Sequence, residues 1–392
     1  MKPLTDVIEI RPLTRPPNCT ITVPGSKSIT IRALILAALS KGQCTLRGAL
    51  WVDDMQVMVD SLQKLGFELT VETDPVEECN RTITVVGCDG EIPSKKAELY
   101  VGNSGTAARF LTALVALGYG EYRITGDQRI SEQPIGDLLD ALRQLHVEVH
   151  AEGNSLPASV HAKGLKGGTV TVSARRSSQF ASALLLIVDK AQFKLQLAEP
   201  DEPFSCVDMT CRMVDTFRHD YLIEPDLSGA SCFASAGFLT GGRVEIGGWP
   251  RHSLQADGRF PQFLPPPLKV SRMRDLGDSV MTLVICAVGG GFPLLLTEAS
   301  RMRGQKCDRI HAMATELHRV GAQVVETEEG LLVEAMDPSC LHEADIETYN
   351  DHHMATCFAV LGLKVPGIRI KNPGCVSTMF PNFFEKLERL HQ

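Results

Sequence analysis

The sequence predicts an α/β fold built from repeated units, each of which joins short strands to apolar helices. Six times along the chain, a cluster of small or polar residues comes directly before an apolar run of helical length. Small and polar residues of this kind are typical of helix N-termini. The clusters lie at residues 25–28, 102–106, 176–179, 225–230, 277–279 and 349–353. Their recurrence at a period of roughly 60 residues indicates repeated α/β units.

The segments between the clusters supply the remaining elements. Alternating apolar and polar residues predict strands at 19–23, 82–86, 169–172, 243–246, 331–334 and 368–371. Apolar residues at helical spacing predict helices at 53–65, 136–145 and 308–320, and the apolar run 33–39 is also expected to be helical. Pro261 and the run 265–267 cannot continue a helix, so we expect an extended link there.

Composition limits the classes of protein to which the chain can belong. With 392 residues, of which 44% are hydrophobic and 22% charged, it is long enough for two domains with their own cores. A net charge of -8 argues against a general role on nucleic acids or membrane surfaces. The N-terminal residues lack the layout of a signal peptide, and apolar runs such as 183–188 are too short to span a bilayer. We therefore expect a cytoplasmic protein.

Cysteine and histidine spacing indicates no metal site. The 12 cysteines are scattered along the chain without a CxxC pair, which favours buried free thiols over disulfides or zinc ligands. His311 and His318 lie about two helical turns apart, and His352 and His353 are adjacent, and neither spacing is typical of a zinc pair. We predict no metal.

Residues 24–32 form the most informative segment of the chain. A Pro-Gly turn is followed by Ser26, Lys27 and Ser28 at the start of the apolar run, with Arg32 one turn later. Backbone N–H groups and these cations could converge on an anion. The segment is not a nucleotide P-loop, because no glycine directly precedes Lys27. The alternative is a serine-capped helix with a solvated lysine.

Several such helix N-termini could face a common cleft and bind a ligand that carries several negative charges. A dinucleotide-binding fold is a weaker alternative, because no GxGxxG motif follows a first strand.

Eight motifs together resemble the 5-enolpyruvylshikimate-3-phosphate synthase family, in which they occur in the same order. They lie at residues 24–28, 102–109, 129–136, 177–180, 224–231, 307–310, 351–352 and 373–377. The resemblance implies two similar domains, each of three βαβαββ units, hinged so that they close around the substrates. It implies a discontinuous domain, 1–24 plus 228–392, an inserted domain, 25–227, and an active site in the cleft between them.

The resemblance also implies a reaction. The enolpyruvyl group of phosphoenolpyruvate is transferred to the 5-hydroxyl of shikimate 3-phosphate, with release of phosphate, in the shikimate pathway of aromatic amino acid biosynthesis. No metal or organic cofactor takes part, and the family expectation is a monomer whose partners are its small-molecule substrates.

Site residues follow from the resemblance position by position. The catalytic residues would be Lys27 and Asp278. The shikimate 3-phosphate positions would be Lys27, Ser28, Arg32, Ser177, Ser178, Gln179 and Asp278. The phosphoenolpyruvate positions would be Lys27, Gly105, Gln179 and Arg309, with Arg109 nearby.

The chain departs from the family pattern mainly on the phosphoenolpyruvate side. Gln133 and His353 stand where the family has arginines, and Thr378 stands where it has a lysine. Gln305 and Lys306 replace a Lys-Glu pair. Arg301, Arg303 and Lys306 could restore positive charge.

Further departures lie elsewhere in the chain. Asp201 and Phe204 replace a serine and a tyrosine near the shikimate phosphate. Shortened segments near 217–224 and 253–267 predict one truncated repeat unit in each domain. Three hypotheses remain: a working synthase with an altered pocket, a family enzyme with another acceptor, and a non-catalytic descendant that binds a shikimate-like anion.

Overall fold

The computed structural model describes residues 5–174, 176–199, 206–304 and 307–392. Within these ranges the helices are α1 (Lys27–Leu39), α2 (Asp53–Lys64), α3 (Gly105–Val115), α4 (Gly136–Gln144), α5 (Ser178–Ala191), α6 (Cys206–Thr216), α7 (Leu227–Thr240), α8 (Val280–Gly290), α9 (Arg309–Arg319), α10 (His352–Gly362) and α11 (Phe383–Glu388). Short 3-10 helices lie at Ile130–Glu132, Ala256–Phe263, Ser300–Gly304, Pro338–Cys340, Pro373–Thr378 and Arg389–His391.

The strands in the same ranges are short. They are β1 (Val7–Glu9), β2 (Asn18–Ile21), β3 (Lys41–Leu50), β4 (Glu68–Thr73), β5 (Asn80–Cys88), β6 (Lys96–Tyr100), β7 (Tyr119–Thr125), β8 (Glu148–Ala151), β9 (Ala158–Lys163), β10 (Thr169–Val172), β11 (Lys194–Leu197), β12 (Asp220–Leu222), β13 (Arg243–Ile246), β14 (Lys269–Ser271), β15 (Leu294–Thr297), β16 (Val324–Thr327), β17 (Gly330–Val333), β18 (Ala344–Ile346) and β19 (Ile368–Lys371).

The chain divides into two compact units, and one of them is discontinuous in sequence. The continuous unit is Gly25–Ile223, and the discontinuous unit joins Met1–Pro24 to Glu224–Gln392.

The continuous unit repeats one pattern, in which a buried helix leads into a strand that has a parallel partner. In the second and third repeats the helix also connects the two parallel strands, as β6-α3-β7 and β10-α5-β11, whereas the parallel partner of β3 is β12, from the end of the unit. In the first two repeats an antiparallel pair completes the sheet, with strand orders β12-β3-β5-β4 and β6-β7-β9-β8. The third repeat has only β10 and β11 on either side of α5 among the described residues. Helices α1, α3 and α5 contact one another and form the centre of the unit.

The discontinuous unit has the same organisation around α7, α8 and α10, which also contact one another. Its sheets have the orders β14-β15-β17-β16, β1-β19-β18 and β13-β2. Among the described residues the sheet β1-β19-β18 has three strands and the sheet β13-β2 has two, so each unit contains one repeat that is reduced to a two-stranded sheet. This is the truncation expected from the sequence.

Two of the central helices, α8 and α10, are apolar around almost their whole circumference. Every residue of α8 from Val280 to Gly289 is buried, and so is every residue of α10 from His353 to Gly362. A helix that is hydrophobic all round is stable only when it is enclosed. The sheets supply that enclosure, and they leave the helix ends as the places where polar groups can reach a ligand.

The six helix starts predicted from polar clusters are confirmed, since α1, α3, α5, α7, α8 and α10 begin at or next to them. The predicted strands are also present, with differences of one or two residues at some ends. The expected extended link around Pro261 is wrong in part. Ala256–Phe263 forms a 3-10 helix that contains Pro261, and only 264–268 lack regular structure. Proline cannot donate a hydrogen bond, but the Pro261 carbonyl still accepts one from the Leu264 N–H, at 3.5 Å.

Two further expectations concern thiols and membranes. All 12 cysteines are free thiols. Among the residues described, none of the helices combines the length and the apolar character that a membrane crossing requires.

The enclosed helices yield a prediction about stability. Leu283 in α8 is 0% exposed, so Leu283→Ala removes buried methyl groups and leaves a cavity. We expect the free energy of unfolding to fall by about 2–5 kcal/mol in urea denaturation. Leu222→Ala is the control, because Leu222 is 73% exposed and its truncation should have a small effect. Equal effects of the two substitutions would contradict the proposed core.

Candidate functional site

The N-termini of three helices in the continuous unit meet at Lys27, the first residue of α1. The Lys27 ammonium lies 2.7 Å from the Asp54 carboxylate in the first turn of α2. Ser104 caps the N-terminus of α3, and its hydroxyl donates to the same carboxylate at 2.9 Å. Both partners of the ion pair are only about a quarter exposed or less, at 26% for Asp54 and 19% for Lys27. Asp54 therefore fixes the position of the lysine at the edge of solvent.

A second group in this unit consists of Gly105, Arg109, Gln133 and Gln179. The Arg109 guanidinium donates to the Gln179 side-chain oxygen, and it lies over the Phe180 ring at 5.1 Å. Burial lowers the pKa of Arg109 to about 10, so the group is still a cation at neutral pH. The Gln133 carboxamide lies against Gly105, where an added Cβ would come within 2.4 Å of its oxygen. The structure thus brings together the predicted residues of α3, α5 and the 129–136 segment.

Arg32 lies inside the continuous unit. The residue is 2% exposed, and its Nε donates to the Thr210 hydroxyl at 2.7 Å. Other guanidinium N–H groups donate to the Ser182 hydroxyl at 3.2 Å and to the Ser28 carbonyl at 2.8 Å. Burial lowers the pKa of Arg32 from its ordinary value. In this arrangement Arg32 joins α1 to α5 and α6.

The predicted serines lie at the starts of two central helices. Ser28 is the second residue of α1, and Ser178 is the first residue of α5. Ser177 caps α5, where its hydroxyl accepts from the Gln179 N–H at 3.3 Å. All three are half-buried. Hydroxyls and N–H groups in these positions are suited to binding phosphate oxygens.

Asp278, two residues before α8, is the centre of the charged cluster in the discontinuous unit. Its carboxylate accepts from Arg272 at 2.9 Å and from Arg309 at 3.2 Å, and the His353 Nε2 lies 3.4 Å away. Burial by itself would raise its pKa. The adjacent Arg309 and the other basic groups nevertheless hold the pKa of Asp278 well below its usual range. Asp278 is consequently a carboxylate at neutral pH.

Arg309 also pairs with a second buried carboxylate. Its Nε lies 2.8 Å from the Asp351 carboxylate, and the two side chains are 5% and 0% exposed. Asp351 also caps α10 by accepting from the His353 N–H at 2.8 Å. One arginine therefore links the starts of α8, α9 and α10.

Two more carboxyl groups lie next to this cluster. Burial raises the pKa of Asp226, directly before α7, to about 6. Burial also raises the pKa of Asp257, although its carboxylate accepts from the Ser279 hydroxyl and from the Gly277 N–H at 2.7 Å. The discontinuous unit therefore concentrates four carboxyl groups at the starts of its central helices.

The remaining predicted positions have different surroundings. Thr378 is exposed at the end of a 3-10 helix, with its hydroxyl 3.4 Å from the Cys375 carbonyl. Arg303 is paired with Asp308 at 3.0 Å and with Glu326 at 2.6 Å, so its charge is opposed within its own unit. The predictions for Asp201, Phe204, Gln305 and Lys306 lie outside the described residues.

Sequence reasoning missed Asp54, Arg272, Asp226 and Asp257. Asp53 and Asp54 stand at the start of a predicted helix, where acidic residues are favoured by the helix dipole, and so gave no sign of the pairing with Lys27. The position of Asp226 directly before an apolar run was a usable signal, because it is the same signal that marked the other helix starts.

The two groups have complementary chemistry. The continuous unit presents a lysine, an arginine, hydroxyls and helix N-termini, which are suited to phosphate and carboxylate groups. The discontinuous unit presents an ionised carboxylate held between two arginines, which can accept a hydrogen bond from a substrate hydroxyl.

The sequence was compared with known families and proteins. The family model described as EPSP synthase (3-phosphoshikimate 1-carboxyvinyltransferase) matches residues 14–220 and 262–387. The 3-phosphoshikimate 1-carboxyvinyltransferase of Nostoc punctiforme is 38% identical, over 97% of this chain and 98% of that protein. The protein of the same name from Shewanella denitrificans is 37% identical, over 95% of this chain and 96% of that protein.

Solved structures share the fold. An EPSP synthase from Acinetobacter baumannii covers 98% of both chains with a TM-score of 0.81 and 22% identity. The enolpyruvyl transferase NikO from Streptomyces tendae covers 98% of this chain and 97% of its own, with a TM-score of 0.74 and 17% identity. These two likenesses confirm the predicted fold class.

The raised pKa of Asp226 predicts how stability depends on pH. Between about pH 4 and 6 the folded protein holds the Asp226 proton more tightly than the unfolded chain does. The folded state therefore loses stability as the pH rises through this window. Asparagine has nearly the size and shape of aspartate but does not ionise. We expect Asp226→Asn to melt at a higher temperature than the wild type at about pH 7.5 and to match it near pH 4.

Thermal melting monitored by circular dichroism at both pH values measures the difference. The control is Asp60→Asn, which changes an exposed carboxylate of α2 and should melt like the wild type at both pH values. A stabilisation by Asp226→Asn of the same size at both pH values would contradict the prediction.

Proposed function

The chain belongs to the EPSP synthase family, and from this premise we propose that it transfers the enolpyruvyl group of phosphoenolpyruvate to the 5-hydroxyl of shikimate 3-phosphate. It is a transferase of the shikimate pathway and of aromatic amino acid biosynthesis. The observation that carries the proposal is the identity of 38% to a 3-phosphoshikimate 1-carboxyvinyltransferase over 97% of the chain.

The finer parts of the proposal come from the resemblance. The domains are 1–24 plus 228–392 and 25–227, with a boundary four residues beyond the one that separates the two compact units. The protein is a cytoplasmic monomer, and the reaction uses no metal or organic cofactor.

The reaction joins a nucleophilic hydroxyl to the enol carbon of phosphoenolpyruvate, while the methylene carbon takes up a proton. Loss of phosphate from the resulting tetrahedral intermediate, together with a proton from the newly formed methyl group, restores the enol double bond and gives the product. The two substrates carry two phosphates and two carboxylates, so the protein must supply cations and N–H donors that meet these anions.

Lys27 is the residue that we assign to both substrates. Its pairing with Asp54 at 2.7 Å orients the ammonium, and the partly exposed position leaves room for substrate oxygens. Gln179, held by Arg109, is assigned to both substrates, and Gly105 is assigned to phosphoenolpyruvate. Ser28, Ser177 and Ser178 supply hydroxyls for shikimate 3-phosphate.

Asp278 is the group that we assign to the reacting hydroxyl. Because Arg309 keeps the pKa of Asp278 low, this group stays an ionised carboxylate that can accept a hydrogen bond from the hydroxyl but is a weak base. Its role is therefore to orient the hydroxyl and to stabilise positive charge nearby. Arg309 supplies the cation for phosphoenolpyruvate on the same side, and its pairing with Asp351 holds it in place.

Arg32 contributes to the proposed site by holding α1 in place. Its guanidinium is engaged by Thr210, Ser182 and a backbone carbonyl inside the unit. Binding of shikimate 3-phosphate by Arg32 itself would require these bonds to be exchanged for bonds to the ligand.

One observation favours a second candidate function. Gln133, His353 and Thr378 stand at three positions where the family pattern has cations. If each lost charge-assisted contact costs about 1.5–3 kcal/mol, the three together weaken phosphoenolpyruvate binding by about a thousandfold or more. This favours a non-catalytic descendant that binds a shikimate-like anion. A family enzyme with a different acceptor is the other alternative, and it would need the same donor site.

Phosphate release tests the proposal and distinguishes these alternatives. Purified protein is given shikimate 3-phosphate and phosphoenolpyruvate, and the binding of each ligand alone is measured by calorimetry. Turnover supports the proposal, and Lys27→Ala should abolish it, because the ammonium that meets both substrates is lost. The control is Lys64→Ala, which removes a lysine from the end of α2. An unchanged rate in Lys27→Ala would remove Lys27 from the site.

The other outcomes of this assay are equally informative. Binding of shikimate 3-phosphate without turnover would favour the non-catalytic descendant. Turnover only when another hydroxyl compound is supplied would favour the different acceptor.

The neutral residue at position 133 gives a separate prediction. Gln133 is exposed and lies against Gly105, so an arginine fits there and adds a cation on the phosphoenolpyruvate side. We expect Gln133→Arg to lower the KM for phosphoenolpyruvate on the order of tenfold, with the KM for shikimate 3-phosphate unchanged. Steady-state kinetics measures both constants.

The matched control is Gln63→Arg, which adds the same charge at an exposed position of α2. A fall in KM in the control as large as in Gln133→Arg would show that general charge, and not the position, is responsible.

A further inference from the structure

Two histidines and a glutamate lie together on the outer face of the β6-β7-β9-β8 sheet. Glu148 and His150 are exposed on β8, and the buried Val149 lies between them, so both side chains are on the solvent side of the strand. In the antiparallel β8-β9 pair, Glu148 is directly opposite His161. His150 is diagonal to His161 on the same face, and the two rings are 5.5 Å apart between centroids.

The possible ligand atoms of these groups lie close to one another. One ligand atom from each of Glu148, His150 and His161 lies within 4.8 Å of the others. The His150 Nε2 and the Glu148 carboxylate are 3.2 Å apart. On the other side, the Glu121 carboxylate of β7 lies 3.9 Å from the His161 Nδ1, in register with it.

The donor set selects the class of ion. Imidazole nitrogens with a carboxylate are typical ligands of zinc, whereas magnesium and calcium prefer oxygen ligands only. A zinc ion about 2.0–2.1 Å from each ligand atom would draw the three atoms closer than they lie now. The side chains can make that adjustment by rotation, because they project from the surface into solvent.

We propose that Glu148, His150 and His161 form a zinc-binding site on the surface of the continuous unit. The fourth ligand is water or the Glu121 carboxylate. Lys163, whose ammonium lies 3.6 Å from the Glu148 carboxylate, is 85% exposed and can turn away when the ion binds. The bound ion links β8 to β9 through side chains, in addition to the backbone hydrogen bonds between the two strands.

The zinc site is independent of the proposed transferase reaction. Its ligands lie on the solvent face of the sheet, and the buried residues of the same strands, such as Val149 and Val160, face the other side, where α3 and α4 pack. None of the ligands is among the residues assigned to either substrate. The proposal therefore stands or falls separately from the reaction.

Zinc titration of the full-length protein tests the site. After treatment with a chelator and its removal, isothermal titration calorimetry with Zn²⁺ at about pH 7.5 should show one saturable equivalent. The same titration with Mg²⁺ should show none. Near pH 5.5 the zinc affinity should fall at least tenfold, because protonated imidazoles cannot bind the ion.

Substitutions locate the ion. His150→Ala and His161→Ala should each weaken zinc binding at least tenfold. The matched control is His146→Asn, which removes an exposed imidazole two residues before β8 and should bind like the wild type; asparagine tolerates the positive φ of 61° at this position. Circular dichroism in chelator checks that all the variants are folded.

Absence of saturable zinc binding in the wild type up to about 1 mM would overturn the proposal. Zinc binding that is unchanged in both His150→Ala and His161→Ala would overturn it too, because the ion would then lie elsewhere.

Discussion

Six enclosed helices impose the constraint on which the rest of the structure depends. Helices such as α8 and α10 are buried along their length, so they can present polar chemistry only at their ends. The first N–H groups of each helix also need partners. Ser104, Ser177 and Asp351 meet that need with side-chain oxygens. In each unit the capping groups and the candidate functional groups therefore lie at the N-termini of the central helices.

The two units differ in the charged groups that they place at these helix ends. In the continuous unit a single carboxylate, Asp54, is matched to Lys27, and the remaining groups are hydroxyls, amides and arginine. In the discontinuous unit, Arg309 is shared between Asp278 and Asp351. Burying these charges is costly, and removal of one partner would leave the others uncompensated. Arg309 links the starts of α8, α9 and α10, which is a structural role. It also keeps Asp278 ionised, which is a chemical role.

On the proposed phosphoenolpyruvate side, three positions carry less fixed positive charge than the family pattern, namely Gln133, His353 and Thr378. The cluster in the discontinuous unit already contains several carboxyl groups, and Asp226 and Asp257 have raised pKa values because of their burial. A histidine at position 353, 3.4 Å from Asp278, adds less fixed positive charge to this cluster than an arginine would. The proposed phosphoenolpyruvate side is therefore less positive than the family pattern implies, and the binding of phosphoenolpyruvate is the measurement that tests the proposal most directly.

The sequence by itself determined the local elements, because apolar periodicity and capping residues act over a few neighbouring positions. It located the starts of the six central helices and placed several strands within a residue or two. Its motifs also identified the family and pointed to Lys27 and Asp278 as candidate site residues. Only the tertiary structure decided which distant residues meet. The pairing of Lys27 with Asp54, the inward position of Arg32 and the meeting of His150 with His161 all depend on strand register and helix packing. These are set by contacts between residues far apart in the chain, which no local pattern records.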